Sequence, residues 1–420
     1  MSRFRPGRFF GVTAGALAII GLGLYGPATL LGPLPRVTAT FVTPSDEPDT
    51  AALPVLPVAG GSAAVAVDVE PDSGELLTSP LATAGAGEAL PMASAAKLIT
   101  ALVIVEAKPI EVGTPGPEIP ITAVDYRDYI DYSNADARTV AVFPGEMWSE
   151  REALQALLLG SSNNHADLLA RWAFGSMDAY LAAANDWLAA NGMDNTRVAD
   201  ATGLQDASAG TAGDLARLAA IAGTDPVIEE LLANPASALN NRRGVENTTE
   251  YLPEEGIRGI SRGYTDAAGV CFLFTATLGT AESPFTIAGA FLQEPDYDTL
   301  SADVTALIAS ARAGITDKPV LEKGDEYVTF AAPWGDTASG SVRVSKTRVS
   351  WHALTSGEPT VTVDDFATGR AGATIGRVSV DASGGPVSSP LVLDEPINDP
   401  GPGWRLLNPV PVITALIESR

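Results

Sequence analysis

The pattern of apolar and polar positions divides the chain into four stretches. Residues 9–35 carry no charge, and Arg3, Arg5 and Arg8 stand in front of them. The densest part, 9–26, would be about 27 Å long as a helix, close to the ~30 Å hydrocarbon core of a bilayer. Positive charge before such a span keeps that end cytoplasmic. The pattern predicts a cytoplasmic tip and transmembrane anchor over 1–35, with the remainder outside the cell. The competing reading is a cleaved export signal, although no small-x-small cleavage site stands near 25–31. Residues 36–60 hold Pro44, Pro48, Pro54 and Pro57 among Asp46, Glu47 and Asp49, and read as an extended, flexible linker. From Ala63 the run Ala64-Val65-Ala66-Val67 suits a strand, and Pro71-Asp72-Ser73-Gly74 suits a hairpin turn. Helices are predicted over 93–107, from the Ser149…Glu152 capping box to 159, from 176 to the Asn191-Gly192 stop, and over 212–222. Strands follow over 260–265, 270–278 and 285–292, then a helix over 301–313. Strands, helices and strands again predict an α+β domain over 61–316, its sheet built from both ends. Short, evenly spaced strands at 327–330, 340–344, 349–351, 360–363 and 376–380 predict a small β-rich domain over 317–420. Pro386, Pro390, Pro396, Pro400 and Pro402 form a proline-rich tail leading to Trp404, with no basic amphipathic C-terminal helix.

Composition narrows the chemistry. The 420 residues are 46% apolar, enough for a packed core in more than one domain. A net charge of −25 argues against sequence-independent nucleic-acid binding, which needs a basic surface. Cys271 is the sole cysteine, so an intrachain disulfide and a multi-cysteine zinc site are excluded. The only histidines are His165 and His352, which leaves little for a Ser-His-Asp triad or a histidine metal site. No metal and no cofactor are expected. Lysine is scarce, occurring only as Lys97, Lys108, Lys318, Lys323 and Lys346.

That scarcity draws attention to Ser94-Ala95-Ala96-Lys97 at a predicted helix start. Residues three apart share a helix face, so the amine can reach the hydroxyl and act as its base if burial lowers its pKa. The bland alternative is a serine N-cap with a snorkelling lysine. Ser161 and Asn163, in Gly160-Ser161-Ser162-Asn163-Asn164, supply a second hydroxyl and an amide, or merely a polar turn between helices. His165 reads as a helix-start residue near the mouth of such a site, and Cys271 as a core residue. Asp200 and Asp214 read as loop and helix-cap residues. Asp325-Glu326 and Asp364-Asp365 read as solvated surface.

Taken in order, these segments resemble the serine-type D-alanyl-D-alanine carboxypeptidases, the low-molecular-mass penicillin-binding proteins. The opening hairpin, MASAAKLITALVIVE at 92–106, the motif at 157–166, NDWLAANGMDNTRVADATGL at 185–204 and Thr211-Ala212-Gly213-Asp214-Leu215 are all similar to that family. GISRGYTDAAG at 259–269 sits where its third motif belongs. The likeness covers roughly 63–314. It implies a β-lactamase/transpeptidase-like domain, an antiparallel sheet flanked by helices. It further implies removal of terminal D-alanine from peptidoglycan stem peptides, and inhibition by β-lactams. S-x-x-K, S-x-N and K-T-G carry that chemistry. By position, Ser94 resembles the acylated nucleophile, Lys97 its base, Ser161 the proton shuttle and Asn163 the amide that holds the acyl chain. The N–H groups of Ser94 and Tyr264 resemble the oxyanion hole.

The third motif departs from the family. Gly263, Tyr264 and Thr265 align, but Ser261 stands for the family's lysine and Arg262 for its threonine. Arg262 can clamp the substrate's terminal carboxylate from the threonine's position. Neighbouring strand residues face opposite ways, so it cannot fill the space of residue 261, and Arg258 is excluded unless a bulge intervenes. Two other readings follow. One is a catalytically impaired wall protein that keeps the groove for peptide binding. The other is a β-lactamase, opposed by the position of Glu230-Leu231-Leu232-Ala233-Asn234, too far along the chain to serve as a deacylation loop.

Overall fold

The structure, a computed structural model, describes residues 25–44, 54–57, 60–69, 76–280, 283–316, 319–347, 350–351, 358–382 and 385–419, with Gly15 and Gly23. The rest of the apolar run at 9–24 lies outside the described residues. Among the described residues no helix is long and apolar enough to cross a membrane. The hairpin turn expected at 71–74 also falls outside them.

The chain divides into two compact units. The larger, Thr50–Thr316 with Val349–Thr355, is built on β1 (Gly61–Val69), β2 (Leu76–Gly85), β3 (Ile257–Thr265), β4 (Gly269–Thr280) and β5 (Ser283–Glu294). They form one antiparallel sheet in the order β3-β4-β5-β1-β2. Both faces are covered, which is why its strands read as nearly continuous apolar runs. Ala63, Val65, Leu273 and Ala290 face a helical layer; Ala64, Ala66, Phe272, Phe274 and Phe291 face the helix α8 (Tyr297–Gly314).

The helical layer comprises α1 (Ala95–Ala107), α2 (Ala123–Asn134), α3 (Glu150–Leu158), α4 (Asn163–Phe174), α5 (Met177–Ala190), α6 (Ala212–Thr224) and α7 (Pro226–Ala233). α1 is mainly apolar, and each of its residues from Ala95 to Val105 is buried, Lys97 and Thr100 included. That makes it the central helix. α3 begins at the expected capping box, with Ser149 and Glu152 bonded reciprocally. α2 was not legible in the apolar pattern. Asp125 is its one buried residue, and its start is set instead by a Thr122–Asp125 capping box. Arg171 of α4 pairs with Asp125 and Asp128 and ties α2 to the layer.

The second unit, Met1–Asp49, Asp317–Arg348 and Ser356–Arg420, holds a six-stranded antiparallel sheet around Val328, Phe330, Val378 and Leu391. Three expectations need correction here. Thr38–Phe41 is not free linker but an edge strand paired with Glu326–Ala331. Ser350–Trp351 leaves this sheet and pairs with Ile315–Thr316 of the first unit. Part of the proline-rich tail is the strand Gly385–Leu393, and the chain then ends in helices Gly401–Leu407 and Pro409–Glu418. Proline is tolerated in the first turn of a helix, where its missing N–H is not needed, so Pro402, Pro409 and Pro411 do not break these two.

The α8 side of the sheet depends on an aromatic stack. Phe272 and Phe274 rings lie 5.4 Å apart, and Phe274 and Phe291 rings 6.1 Å. Gly289 leaves room for Phe274, since a Cβ there would sit 2.4 Å from its ring. Phe274→Ala should destabilise the peptidase unit by about 3–5 kcal/mol, read from denaturant unfolding. A loss under about 1 kcal/mol would show that the stack does not bear on that core.

Candidate active site

The first turn of α1 carries the site. Ser94 occupies the N-cap position but makes no capping hydrogen bond with its side chain. Its hydroxyl is turned elsewhere, against the N-cap reading. Lys97 Nζ donates to Ser94 Oγ at 3.2 Å and to the Thr202 carbonyl at 2.9 Å. Lys97 is only 4% exposed, so it does not snorkel. Burial pushes its amine down to about 7, and the Arg138 guanidinium acts the same way, against an opposing pull from Asp200 and Asp167. Among the described residues no carboxylate bonds to the amine; both of its partners there are neutral oxygens.

The loop that supplies the Thr202 carbonyl is held by Asp200. Its carboxylate accepts from Thr202 Oγ1 and Ser208 Oγ and from the N–H groups of Gly203 and Leu204. Gly203 passes so close to the turn into Ser94 that a Cβ would lie 1.8 Å from the Ala93 carbonyl oxygen. Ala93 itself is left-handed, with φ 45°, a conformation that turns the chain sharply into Ser94.

Ser161 comes from the turn between α3 and α4. It too is left-handed, with φ 53°, and its Oγ lies 3.2 Å from Ser94 Oγ. The segment 138–140 is stitched across the start of α4. Asn163 donates to the Arg138 carbonyl through its backbone N at 2.9 Å and Nδ2 at 3.1 Å. Asn164 and Ser162 accept from Val140 N. Asn163 Oδ1 is buried without a hydrogen-bond partner among the described residues, leaving an acceptor in the cleft wall.

β3 closes the other side. A bulge at Ile260 shifts its register between Gly259 and Ser261. Even so, Arg258 does not turn toward the site; it is exposed and pairs with Glu229. Ser261 is buried in a small space shared with Ser94, Lys97 and Ser161. Gly263 is required by close approach, because a Cβ there would be 2.7 Å from Ser94 Cβ and 2.8 Å from Ser94 Oγ. Arg262 lies at the edge of the cleft. Its Nε donates to the Thr248 carbonyl at 3.0 Å, and its guanidinium lies over the rings of Tyr251 at 5.1 Å and Tyr297 at 5.4 Å. It forms no ion pair among the described residues. Tyr264 is exposed, its hydroxyl bonded to Asp266, and Thr265 Oγ1 caps the turn to β4 through Ala268 N. Ser94, Lys97, Ser161, Asn163 and the segment 262–265 all line one cleft of about 560 Å³.

Two neighbours prove structural. His165 is not at the mouth but fully buried; burial pushes its imidazole down to about 3, its Nδ1 lies 2.9 Å from Ser162 Oγ and its ring packs on Trp148. It was misplaced because α4 turns inward at once. Cys271 lies buried in β4, opposite Gly263 of β3, and burial pushes its thiol up to about 12. Sequence reasoning missed Arg138, Thr248, Tyr251 and Tyr297, which lie on loops or at a helix start with no spacing to mark them. Glu230, the carboxylate of the rejected deacylation motif, is bound to Arg151 by two hydrogen bonds.

Comparison with known proteins places this arrangement. A family model described as D-alanyl-D-alanine carboxypeptidase matches residues 56–288. The D-alanyl-D-alanine carboxypeptidase DacB2 of Mycobacterium tuberculosis is 29% identical over 231 residues, 53% of this chain and 74% of that protein. A D-alanyl-D-alanine endopeptidase of Pseudomonas aeruginosa is 27% identical over 241 residues, again 53% and 74%. Penicillin binding protein 5 from Haemophilus influenzae shares the fold with TM-score 0.56 at 17% identity, covering 85% of this chain and 100% of its own. The D-alanyl-D-alanine carboxypeptidase DacD from Francisella tularensis does so with TM-score 0.53 at 16%, covering 85% and 97%. With the family model spanning more than half of its length, the chain belongs to the D-alanyl-D-alanine carboxypeptidase family.

Proposed function

We propose that this protein is a serine D-Ala-D-Ala carboxypeptidase that trims peptidoglycan stem peptides through an acyl-enzyme on Ser94. The observation that carries the reading is the placement of Ser94 Oγ 3.2 Å from both Lys97 Nζ and Ser161 Oγ. A neutral Lys97 takes the Ser94 proton as Oγ attacks the carbonyl carbon of the penultimate D-alanine. The C–N bond then breaks, and the leaving amine takes a proton from Ser161, which is restored from Lys97. Free D-alanine departs. Water deprotonated by Lys97 next attacks the ester and releases the trimmed peptide and Ser94. The Asn163 amide holds the acyl chain. The N–H groups of Ser94 and Tyr264 stabilise the oxyanion, and the backbone at Gly263 is close enough to Ser94 for that. β-Lactams would acylate Ser94 by the same first step.

Arg262 is assigned to the terminal carboxylate. Its terminal nitrogens carry no hydrogen bond among the described residues, while Tyr251, Tyr297 and the Thr248 carbonyl fix its plane. A second reading, a peptide-binding wall protein with impaired turnover, is favoured by one observation. Ser261 puts a hydroxyl where the family's motif puts an ammonium beside Ser94 and Ser161. The pairing of Glu230 with Arg151 weighs against a β-lactamase.

The proposed location is the cell membrane, held by the apolar run at 9–31 with the peptidase unit outside, or secreted if that run is cleaved. Leu31, Leu407, Val410 and Ile417 are exposed on and around Gly26–Leu30, where the run enters the described chain, which supports apolar surroundings there. The peptidoglycan stem peptide is the proposed partner, and the net charge of −25 speaks against nucleic acid.

Three measurements test this. Fluorescent penicillin should label the wild type covalently, and Ser94→Ala should stay folded and unlabelled. A labelled Ser94→Ala protein rejects the nucleophile, and an unlabelled wild type selects the impaired reading. Second, the ammonium form of Lys97 cannot accept a proton, so acylation should rise with pH through a midpoint near 7 and fall about tenfold per unit well below it. A rate flat from pH 5.5 to 8.5 would remove Lys97 as the base. Third, Arg262→Ala should slow acylation by a penicillin about ten- to a hundredfold, because a hydrogen bond to a charged group contributes about 1.5–3 kcal/mol. The penicillin's methyl ester should lose less. Equal losses on both compounds would remove Arg262 from carboxylate binding.

A further inference from the structure

A second cleft of about 410 Å³ adjoins the catalytic one. Arg138 and Thr248 line both. Thr248 is also the residue whose carbonyl holds Arg262 Nε, and Arg138 the one whose carbonyl accepts from Asn163, so the side cleft meets the catalytic one between Arg262 and Asn163. Its far wall is a short hairpin in which Ala238–Leu239 pairs with Arg242–Arg243, and it contributes Arg243. The hairpin is turned by Asn240 and Asn241, both left-handed, and the neighbouring Arg242 is bound to Glu146.

The side cleft gathers two arginines in an acidic chain. Acids outnumber bases by 51 to 26, and Arg151, Arg171, Arg242, Arg258 and Arg312 each have an acidic partner. Arg138 and Arg243 have neither an ion pair nor a side-chain hydrogen bond among the described residues. Glu246, which shares the cleft, has no ion pair there either, so the lining keeps a net positive charge. Two unpaired guanidinium groups beside a reaction cleft suit a carboxylate, which arginine binds through paired hydrogen bonds. A terminal D-alanine cannot use them. Its side chain is a methyl group, and its one carboxylate is already assigned to Arg262.

We propose that the side cleft binds a second carboxylate of the peptide, on the leaving-group side of the scissile bond, with Arg138 and Arg243 as its ligands. The favoured substrate then ends in a D-amino acid that carries an additional acidic group. This rests on the reading of Arg262 as the holder of the terminal carboxylate.

Binding to the Ser94→Ala protein tests the inference without requiring turnover. Titration calorimetry would compare acetylated peptides ending in D-Ala-D-Glu and D-Ala-D-Gln, which differ by the second carboxylate alone. A further pair would end in D-Ala-D-Ala, with Glu or Gln placed just before it. The D-Glu peptide should bind at least about tenfold more tightly than the D-Gln peptide, the upstream pair should bind alike, and added salt should narrow the preference. In Arg138→Gln and Arg243→Gln, each checked by its unfolding midpoint, the preference should drop below about threefold. Equal binding of D-Glu and D-Gln overturns the proposal. So does a preference that survives both substitutions, or one seen only with the upstream pair. Absence of binding by all four peptides also overturns it. If the reading beneath fails instead, the sign is different: penicillin leaves the wild type unlabelled, or Arg262→Ala costs the penicillin and its methyl ester equally.

Discussion

An amine taken out of water beside a hydroxyl is the constraint on which this site depends. An unpaired buried ammonium is costly, so a buried lysine favours its neutral form. Lys97 sits one turn into a helix that is buried all round, and its two partners are neutral oxygens. The apolar helix therefore sets the state of the amine. It keeps Lys97 dry, and the Ser94 hydroxyl at its first turn is aimed by the same packing. The surrounding loop shares the task. Asp200 satisfies four groups of its own loop, and the Thr202 carbonyl is thereby fixed for the amine.

The left-handed residues serve the same end. Ala93 and Ser161 are non-glycine residues held at positive φ on either side of Ser94 Oγ. Such conformations persist only where surrounding contacts over-determine them. Here Gly203 presses on the Ala93 carbonyl, and the strand approaches Ser94 through Gly263. Glycine at 263 is thus dictated by the space that Ser94 needs, and glycine at 203 by both its closeness to the Ala93 carbonyl and its own left-handed φ of 78°.

The altered third motif changes where positive charge stands. The family's lysine would place an ammonium between Ser94 and Ser161, and Ser261 places a hydroxyl there. The remaining cations lie farther out, at Arg262 and Arg138, and Arg138 is close enough to help depress the Lys97 pKa. Charge has moved from the floor of the cleft to its rim. The rim is where a peptide's own carboxylates can meet it.

Much of this was legible in the chain. α1 could be read because a mainly apolar run with no helix breaker suits a buried helix, and α3 because its capping box is local chemistry. The two-sided burial of the sheet was written in the continuous apolar runs of β4 and β5. The spacing of Ser94 to Lys97 is a helix repeat, and the order of motifs around it identified the family. What the sequence could not settle was everything decided by contact at a distance. Whether Ser94 caps its helix or faces Lys97, and whether His165 meets the cleft or the core, depend on which surfaces pack against each turn. Thr38–Phe41 became a strand only because Glu326–Ala331 offered a free edge. α2 escaped notice because it buries almost nothing apolar of its own. The cradle of Arg262, two tyrosines and a carbonyl drawn from two separate segments, has no periodicity to betray it. The sequence by itself determined which elements form and which groups can react. Only tertiary packing decided which of those groups meet, because burial and distance are properties of the folded chain.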